Sequence, residues 1–221
     1  MTVPFYQYFQ ILALLSCLIF YKDVRKQKLG AFLPLCILVC AVELLGANAK
    51  LLDIKSDHFI RNLYIVGSTI LYFYIYFKLI PLDKKLRRLF KIISFIIIGL
   101  VLANYFFFQG PTHINTLSVI FQQLFTILLS CGLLFSLSMS EKYFVLFDEP
   151  TFWIAAGLLI FSLGTIVIFG LYQYIRINHL TIKNRNLYSI LMPFLNIILY
   201  SSYTYAFYLC SKKKKLFSPL L

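Results

Sequence analysis

The sequence predicts an all-α, polytopic transmembrane bundle of seven helices, with its N-terminus outside and its C-terminus inside. Composition, the length of the apolar runs and the sidedness of Lys and Arg all point there. Of the 221 residues, 61% are hydrophobic, 18% aromatic and 13% charged, which leaves too little polar surface to cover a water-soluble globule. No polar stretch approaches the ~100 residues that an appended soluble domain would need. The expected organisation is therefore a single membrane domain over 1–211, followed by a short polybasic cytoplasmic tail over 212–221.

An apolar run of about 20 residues spans a hydrocarbon core of about 30 Å. Runs of that length fall at roughly 4–21, 30–51, 60–81, 89–109, 114–139, 152–175 and 187–210. The connections between them are short and hold most of the charge, as in "YKDVRKQKLG" and "LDKKLRRLFK", so consecutive helices should be neighbours. The opening "MTVPFYQYFQ" lacks the basic leader of a secretory signal. Positive charge follows the first run instead, at Lys22, Arg25, Lys26 and Lys28, so this run reads as an uncleaved anchor.

Lys and Arg in short loops mark the cytoplasmic side. With the N-terminus outside, fifteen of the 21 fall inside: the first loop, Lys78 to Lys91, Lys142, and Lys212 to Lys215. The remaining six are Lys50, Lys55, Arg61, Arg176, Lys183 and Arg185. The net charge of +13 is mostly an inner-surface charge, suited to anionic lipid headgroups. Nucleic acid is not an expected partner, because neither a basic groove nor a soluble fold accompanies the charge.

Glu43 is the one carboxylate inside the seven runs, about 20 Å from the inner boundary at 1.5 Å per residue. An acid at that depth is costly to ionise and marks a functional position by default. Cys36, Val39, Cys40, Gly46 and Ala47 share its helical face, and the small residues among them suit close packing. On the fifth run, Asn115, Ser118, Gln122, Thr126 and Ser130 recur at spacings of three and four. Such a stripe must face the bundle interior. Asn62, Thr69, Asn104, Tyr172, Gln173, Ser189, Asn196 and Tyr200 lie at comparable depth, with a kink expected at Pro193. The resulting expectation is an outward-facing polar pocket with Glu43, Asn62, Asn104, Gln122, Asn196 and Tyr200 as its ligand-binding residues.

His58, His113 and His179 all fall at outer loops or helix ends, with Asp57 beside the first. Three imidazoles and a carboxylate suit zinc where loops converge, but no ligand-type spacing joins them, and solvated histidines are the plainer reading. Cys17, Cys36, Cys40, Cys131 and Cys210 lie within the runs and behave there as small apolar groups rather than a disulfide framework. The chain contains no Gly-x-Ser-x-Gly, phosphate-cradling Gly-rich loop or close Cys/His pair. No lysine lies between Arg185 and Lys212, which removes a rhodopsin-like Schiff base. No catalytic residue and no cofactor is expected.

The stretches "VELLGANAK", "FWIAAGLLIFSLGTIVIF" and "RNLYSILMPFLNIILYSSYTYAF" resemble a set of small seven-helix bacterial inner-membrane proteins with no established activity. That resemblance implies location and helix number. Separately, "RNLY" occurs at 61–64 and again at 185–188, where Arg and Tyr suit a membrane interface. It would also fit the parallel repeat of a transporter built as three helices, a linker helix and three more. Three functions stay open. The first is a non-enzymatic small-molecule or lipid sensor, or an accessory subunit, working through a membrane or cytoplasmic signalling partner. The others are a proton-coupled small-solute transporter and a lipid-modifying enzyme. An acidic patch of Glu141, Asp148 and Glu149 marks the expected partner surface inside.

Overall fold

A computed structural model describes residues 4–48, 58–108, 110, 115–139, 146–171, 181–182 and 185–217. Among these residues the fold is helical apart from one two-residue antiparallel pair. In chain order the helices are α1 (Phe5–Ile19), α2 (Tyr21–Lys26), α3 (Phe32–Ala47), α4 (His58–Leu79), α5 (Lys84–Ala103), α6 (Thr116–Ser138), α7 (Pro150–Gly170) and α8 (Leu187–Phe217). A π-helical turn, Asn104–Phe108, continues α5, and a 3₁₀ turn, Leu146–Asp148, precedes α7. The strands β1 (Thr181–Ile182) and β2 (Arg185–Asn186) pair Thr181 with Asn186 and Ile182 with Arg185.

Among the described residues, four helical segments are long and apolar enough to cross a membrane: Lys84–Phe108, Thr116–Ser138, Pro150–Gly170 and Ser189–Lys212. Phe5–Ile19 and Phe32–Gly46 are apolar but shorter. α4 has 22 residues, but Arg61, Asn62 and the tyrosines at 64, 72, 74 and 76 dilute its apolar character. Large apolar side chains such as Phe95, Phe107, Phe108 and Leu128 stand exposed on the helix exteriors, as a lipid-facing surface requires.

Helix ends depart from the sequence windows where charge intervenes. Lys84, Lys85, Arg87 and Arg88, expected in a loop, form the first turns of α5. The segment expected as a tail begins in helix, because α8 continues through Lys212–Lys215 to Phe217. A hydropathy window measures apolar length, whereas backbone hydrogen bonding passes through basic residues of good helix propensity. The first loop also contains structure: α2 ends with the Lys28 and Leu29 amides donating to the carbonyls of Arg25 and Val24. Lys28 takes the left-handed conformation at φ 64°, and Leu29 is buried behind it. This is a Schellman closure with lysine at the position glycine usually fills.

Contacts fix the directions of the helices. Asn62 with Asn115, Ser68 with Gln122 and Tyr76 with Ser130 run in parallel along α4 and α6. α5 lies antiparallel to both, with Phe90 packed against Phe73 and Phe125, and Asn104 bonded to Ser118. α7 runs antiparallel to α8: a Cβ on Gly157 would overlap the Ser202 hydroxyl, and one on Gly164 would overlap Leu195. The end of α3 meets the start of α1 through Glu43 and Tyr6. Direction thus alternates along the chain, and α1–α3–α4–α6–α7–α8 close into a ring, with α5 outside against α4 and α6.

A continuous apolar core fills the bundle, including Phe32, Leu35, Ile75, Tyr76, Ile154, Leu158, Tyr203 and Phe207. Close backbone approach occurs at Gly157 and Gly164; on the Glu43 face, Cys36 and Val39 are packed in the core, whereas a Cβ on Gly46 meets nothing within 4 Å.

Two outcomes test these points. Gly164→Leu drives a larger side chain into Leu195 and should cost about 1–3 kcal/mol, read as a lower melting temperature of detergent-solubilised protein, while Gly46→Ala, which adds helix propensity in open space, should not lower that temperature. Lys28→Gly should stabilise by up to ~1 kcal/mol and Lys28→Val should destabilise, because β-branching raises the cost of the left-handed conformation.

Candidate functional site

A cavity of about 140 Å³ lies among α1, α3, α4, α6, α7 and α8, near the end where α1, α4, α6 and α8 begin. Four of the six residues expected from sequence line it: Glu43, Gln122, Asn196 and Tyr200. The fifth-run stripe faces inward throughout. Asn115, Ser118, Gln122, Thr126 and Ser130 are all buried.

Asn62 and Asn104 are buried but do not line the cavity. The Asn62 side-chain oxygen accepts the Asn115 backbone N–H at 3.1 Å, and the Asn104 amide donates to Ser118 Oγ at 2.8 Å. Both bonds hold helices together instead. The reason is rotation: successive helical residues point about 100° apart, so Arg61, Tyr64, Ile65 and Tyr72 face the cavity, whereas Asn62 and Tyr76 face α6. Asn104 belongs to the outlying α5 side of the bundle.

The bonds between α4 and α6 form a ladder. Gln122 Nε2 donates to Ser68 Oγ at 2.9 Å, and the Tyr76 and Ser130 hydroxyls meet at 2.5 Å. With the Asn62–Asn115 rung, the ladder covers about 21 Å of helix, at 1.5 Å per residue. The next residue, Gln123, turns the other way and accepts from Ser162 Oγ of α7 at 2.7 Å. Adjacent glutamines thus tie α6 to α4 on one side and to α7 on the other, and both line the cavity.

Glu43 is half-buried. Its Oε2 accepts from the Tyr6 hydroxyl at 3.0 Å and from the Gln7 amide at 3.5 Å, so the start of α1 holds the carboxylate in place. Arg61 is exposed and lines the same cavity, which gives the cavity one charge of each sign and a rim at the surface. On α8, the Asn196 amide donates to the Met192 carbonyl at 2.9 Å, next to Pro193, which has no N–H to donate to Ser189. Thr165 on α7 is buried and lines the cavity, and its Oγ1 has no hydrogen-bond partner.

Gln10, Arg61, Gln123 and Thr165 are lining residues beyond those expected from sequence. Gln7 and Gln10, three apart on one face of α1 and both buried, are the signal that was readable. His113, His179, Asp57, Tyr172, Gln173 and Glu141 lie outside the described residues. His58 opens α4, and among the described residues no group of three His, Cys, Asp or Glu could hold a metal ion. The two "RNLY" copies differ in backbone: the first lies within α4, and the second begins in β2 and ends in α8. None of the five cysteines forms a disulfide. The chain matches no protein-family model, no curated protein and no solved structure.

The Tyr76–Ser130 rung is open to a double-mutant cycle. Tyr76→Phe combined with Ser130→Ala should show a coupling of roughly 0.6–1.7 kcal/mol, the range for interhelical bonds in an apolar surround, in unfolding from mixed micelles. A cycle with zero coupling would mean that this contact holds nothing.

Proposed function

We propose that this chain is a non-enzymatic integral membrane protein of seven spans, with its N-terminus outside, that receives a small molecule in the cavity from the outer side. On this reading α1, α3 and α4 complete the set of spans begun by the four long apolar helices. The cytoplasmic end would then contain Lys22, Arg25, Lys26, Lys28, Lys78, Lys84, Lys85, Arg87, Arg88, Lys91 and Lys212, all exposed, and face anionic lipid of the inner membrane. Cations of that end also lie over aromatic rings, Lys78 on Tyr74 and Arg87 on Phe77, an arrangement suited to an interface.

The observation that carries the proposal is the single cavity joining Glu43 with Gln122, Asn196 and Tyr200 at the opposite end. Its floor is closed. Below it the ladder ends in Tyr76 and Ser130, and Phe32, Tyr203 and Phe207 pack edge to face beneath. Such a floor suits a sensor or accessory subunit working through a signalling partner, the function favoured here, and it is equally the inner seal of an outward-facing carrier. The competing reading is a proton-coupled transporter. Its support is the Glu43 carboxylate in the cavity, together with Pro193 in α8 between the lining residues Met192 and Asn196.

Two experiments decide. Glu43→Gln should abolish the cellular response or solute uptake while the protein elutes as the folded species; full activity in that variant removes Glu43 from the site. In cells expressing a cysteine-light background, Phe59→Cys should react with an impermeant maleimide from outside and Lys26→Cys only after permeabilisation. The reverse pattern overturns the orientation.

A further inference from the structure

At the basic end of the bundle, two aromatic rings gather cations into one place. From Lys78 to Lys91 the sequence has six cations against one acid, Asp83, and Asp83 is exposed. Arg87 Cζ lies 5.1 Å, and Lys91 Nζ 5.4 Å, from the centre of the same Phe77 ring. Lys78 Nζ lies 4.4 Å from the centre of the Tyr74 ring, on the same helix as Phe77. A ring holds a cation in position but does not neutralise it, so like charges are kept side by side. Arg87 and Lys91 are four apart on α5, a spacing at which like charges repel. α5 adds to the imbalance, because its first turn has no acidic side chain and its N-cap makes no side-chain hydrogen bond. The positive end of the helix dipole therefore lies beside its own cations.

The surface next to this cluster is apolar. Along the face of α5 that bears Arg87 and Lys91, the residues that follow at helical spacing include Phe95 and Leu102, both exposed. On α4, Tyr74, Ile70 and Leu63 fall at spacings of four and seven and are exposed as well. α4 and α5 are antiparallel neighbours, so both strips start at the cations and run toward the opposite end of the bundle. A small anion would offset the charges and leave the strips bare. A hydrocarbon would cover the strips and leave the charges. A molecule with an anionic head and long chains does both.

We propose that the shoulder between α4 and α5 is a binding site for one anionic glycerophospholipid, its phosphate between Arg87 and Lys91 and an acyl chain along Phe95 and Leu102. This rests on the reading of the basic end as a membrane face, and it holds for either orientation of the chain. It goes beyond the general attraction of a basic surface to anionic lipid, because it assigns one lipid to one place. Arg87 suits the role, since a guanidinium over a ring keeps N–H donors at its edge for phosphate oxygens. Lys91 supplies a point charge one turn further along α5. Lys78 adds a third cation to the field that draws the head in.

The test is native mass spectrometry of the full-length protein purified in detergent, with phosphatidylglycerol and phosphatidylcholine of matched chains added in equal amounts. One phosphatidylglycerol per chain should stay bound under activation that strips phosphatidylcholine. Arg87→Gln combined with Lys91→Gln should weaken that binding by roughly tenfold or more. The control pair, Lys22→Gln with Lys26→Gln, removes the same charge from α2 at the same end and should keep the lipid. All four residues are exposed, so both variants should fold, and the comparison of the two lipids needs no variant at all. Equal loss in the two pairs would mean that total charge alone holds the lipid, which overturns the site and leaves the membrane face standing. Undiminished binding in the Arg87 and Lys91 pair overturns it too, as does equal retention of the two lipids or retention of neither. Displacement of phosphatidylglycerol by an equal concentration of glycerol phosphate would mark a site for a soluble phosphate compound instead and overturn the lipid. The membrane reading fails separately, if alkaline carbonate releases the chain from cell membranes.

Discussion

Inside an apolar bundle surrounded by lipid, a buried amide or hydroxyl has no water to fall back on, and every such group must find a partner on another helix or its own backbone. That requirement organises this protein. Asn62, Ser68 and Tyr76 on α4 meet Asn115, Gln122 and Ser130 on α6 at an almost constant offset along the chain. Hydrophobic burial cannot select such a register, because lipid and protein interior are about equally apolar. Slipping α4 against α6 by one residue would part all three rungs together, whereas aliphatic contacts would merely exchange neighbours.

The ladder also places the cavity. Once α4 and α6 are locked in parallel, Arg61, Tyr64 and Tyr72 are turned away from α6 toward the centre of the bundle. Gln123 is turned toward α7, where it accepts from Ser162. α7 is in turn held closely to α8 at Gly157 and Gly164, which brings Asn196 and Tyr200 to the far wall. The remaining wall comes from α3 and α1, joined at Glu43 by Tyr6 and Gln7. Each polar wall is thus fixed by a bond or a close backbone approach, and the hollow is what remains where the side chains do not meet.

Much of this was legible in the residues and some was not, for a consistent reason. Polar spacing identified the inward face of α6 completely, because five polar side chains at three and four residues define one direction on a helix. Glu43 stood out by charge alone. What spacing cannot give is the rotation of one helix against the next. Asn62 and Arg61 are neighbours in sequence with opposite assignments: the amide that looked like a ligand group bonds α6, and the guanidinium that looked like a headgroup anchor lines the cavity. Gln122 and Gln123 divide between two neighbours in the same manner. The ends of α5 and α8 were misplaced because apolar length and helical length are separate quantities, and basic residues extend the second without extending the first.

The two ends of the bundle differ in kind, and two helices connect them. α4 contributes Arg61, Tyr64 and Tyr72 to the cavity and has Lys78 in its last turn, and α8 contributes Asn196 and Tyr200 and reaches Lys212. From Asn196 to Lys212 is about 24 Å of helix at 1.5 Å per residue. The Gly157 and Gly164 notches of α7 seat Ser202 and Leu195 of α8, and α4 is pinned to α6 by three hydrogen bonds. Both connecting helices are therefore keyed to a neighbour, one by shape and the other by polar register, and each has the cavity lining and the basic end on one continuous helix.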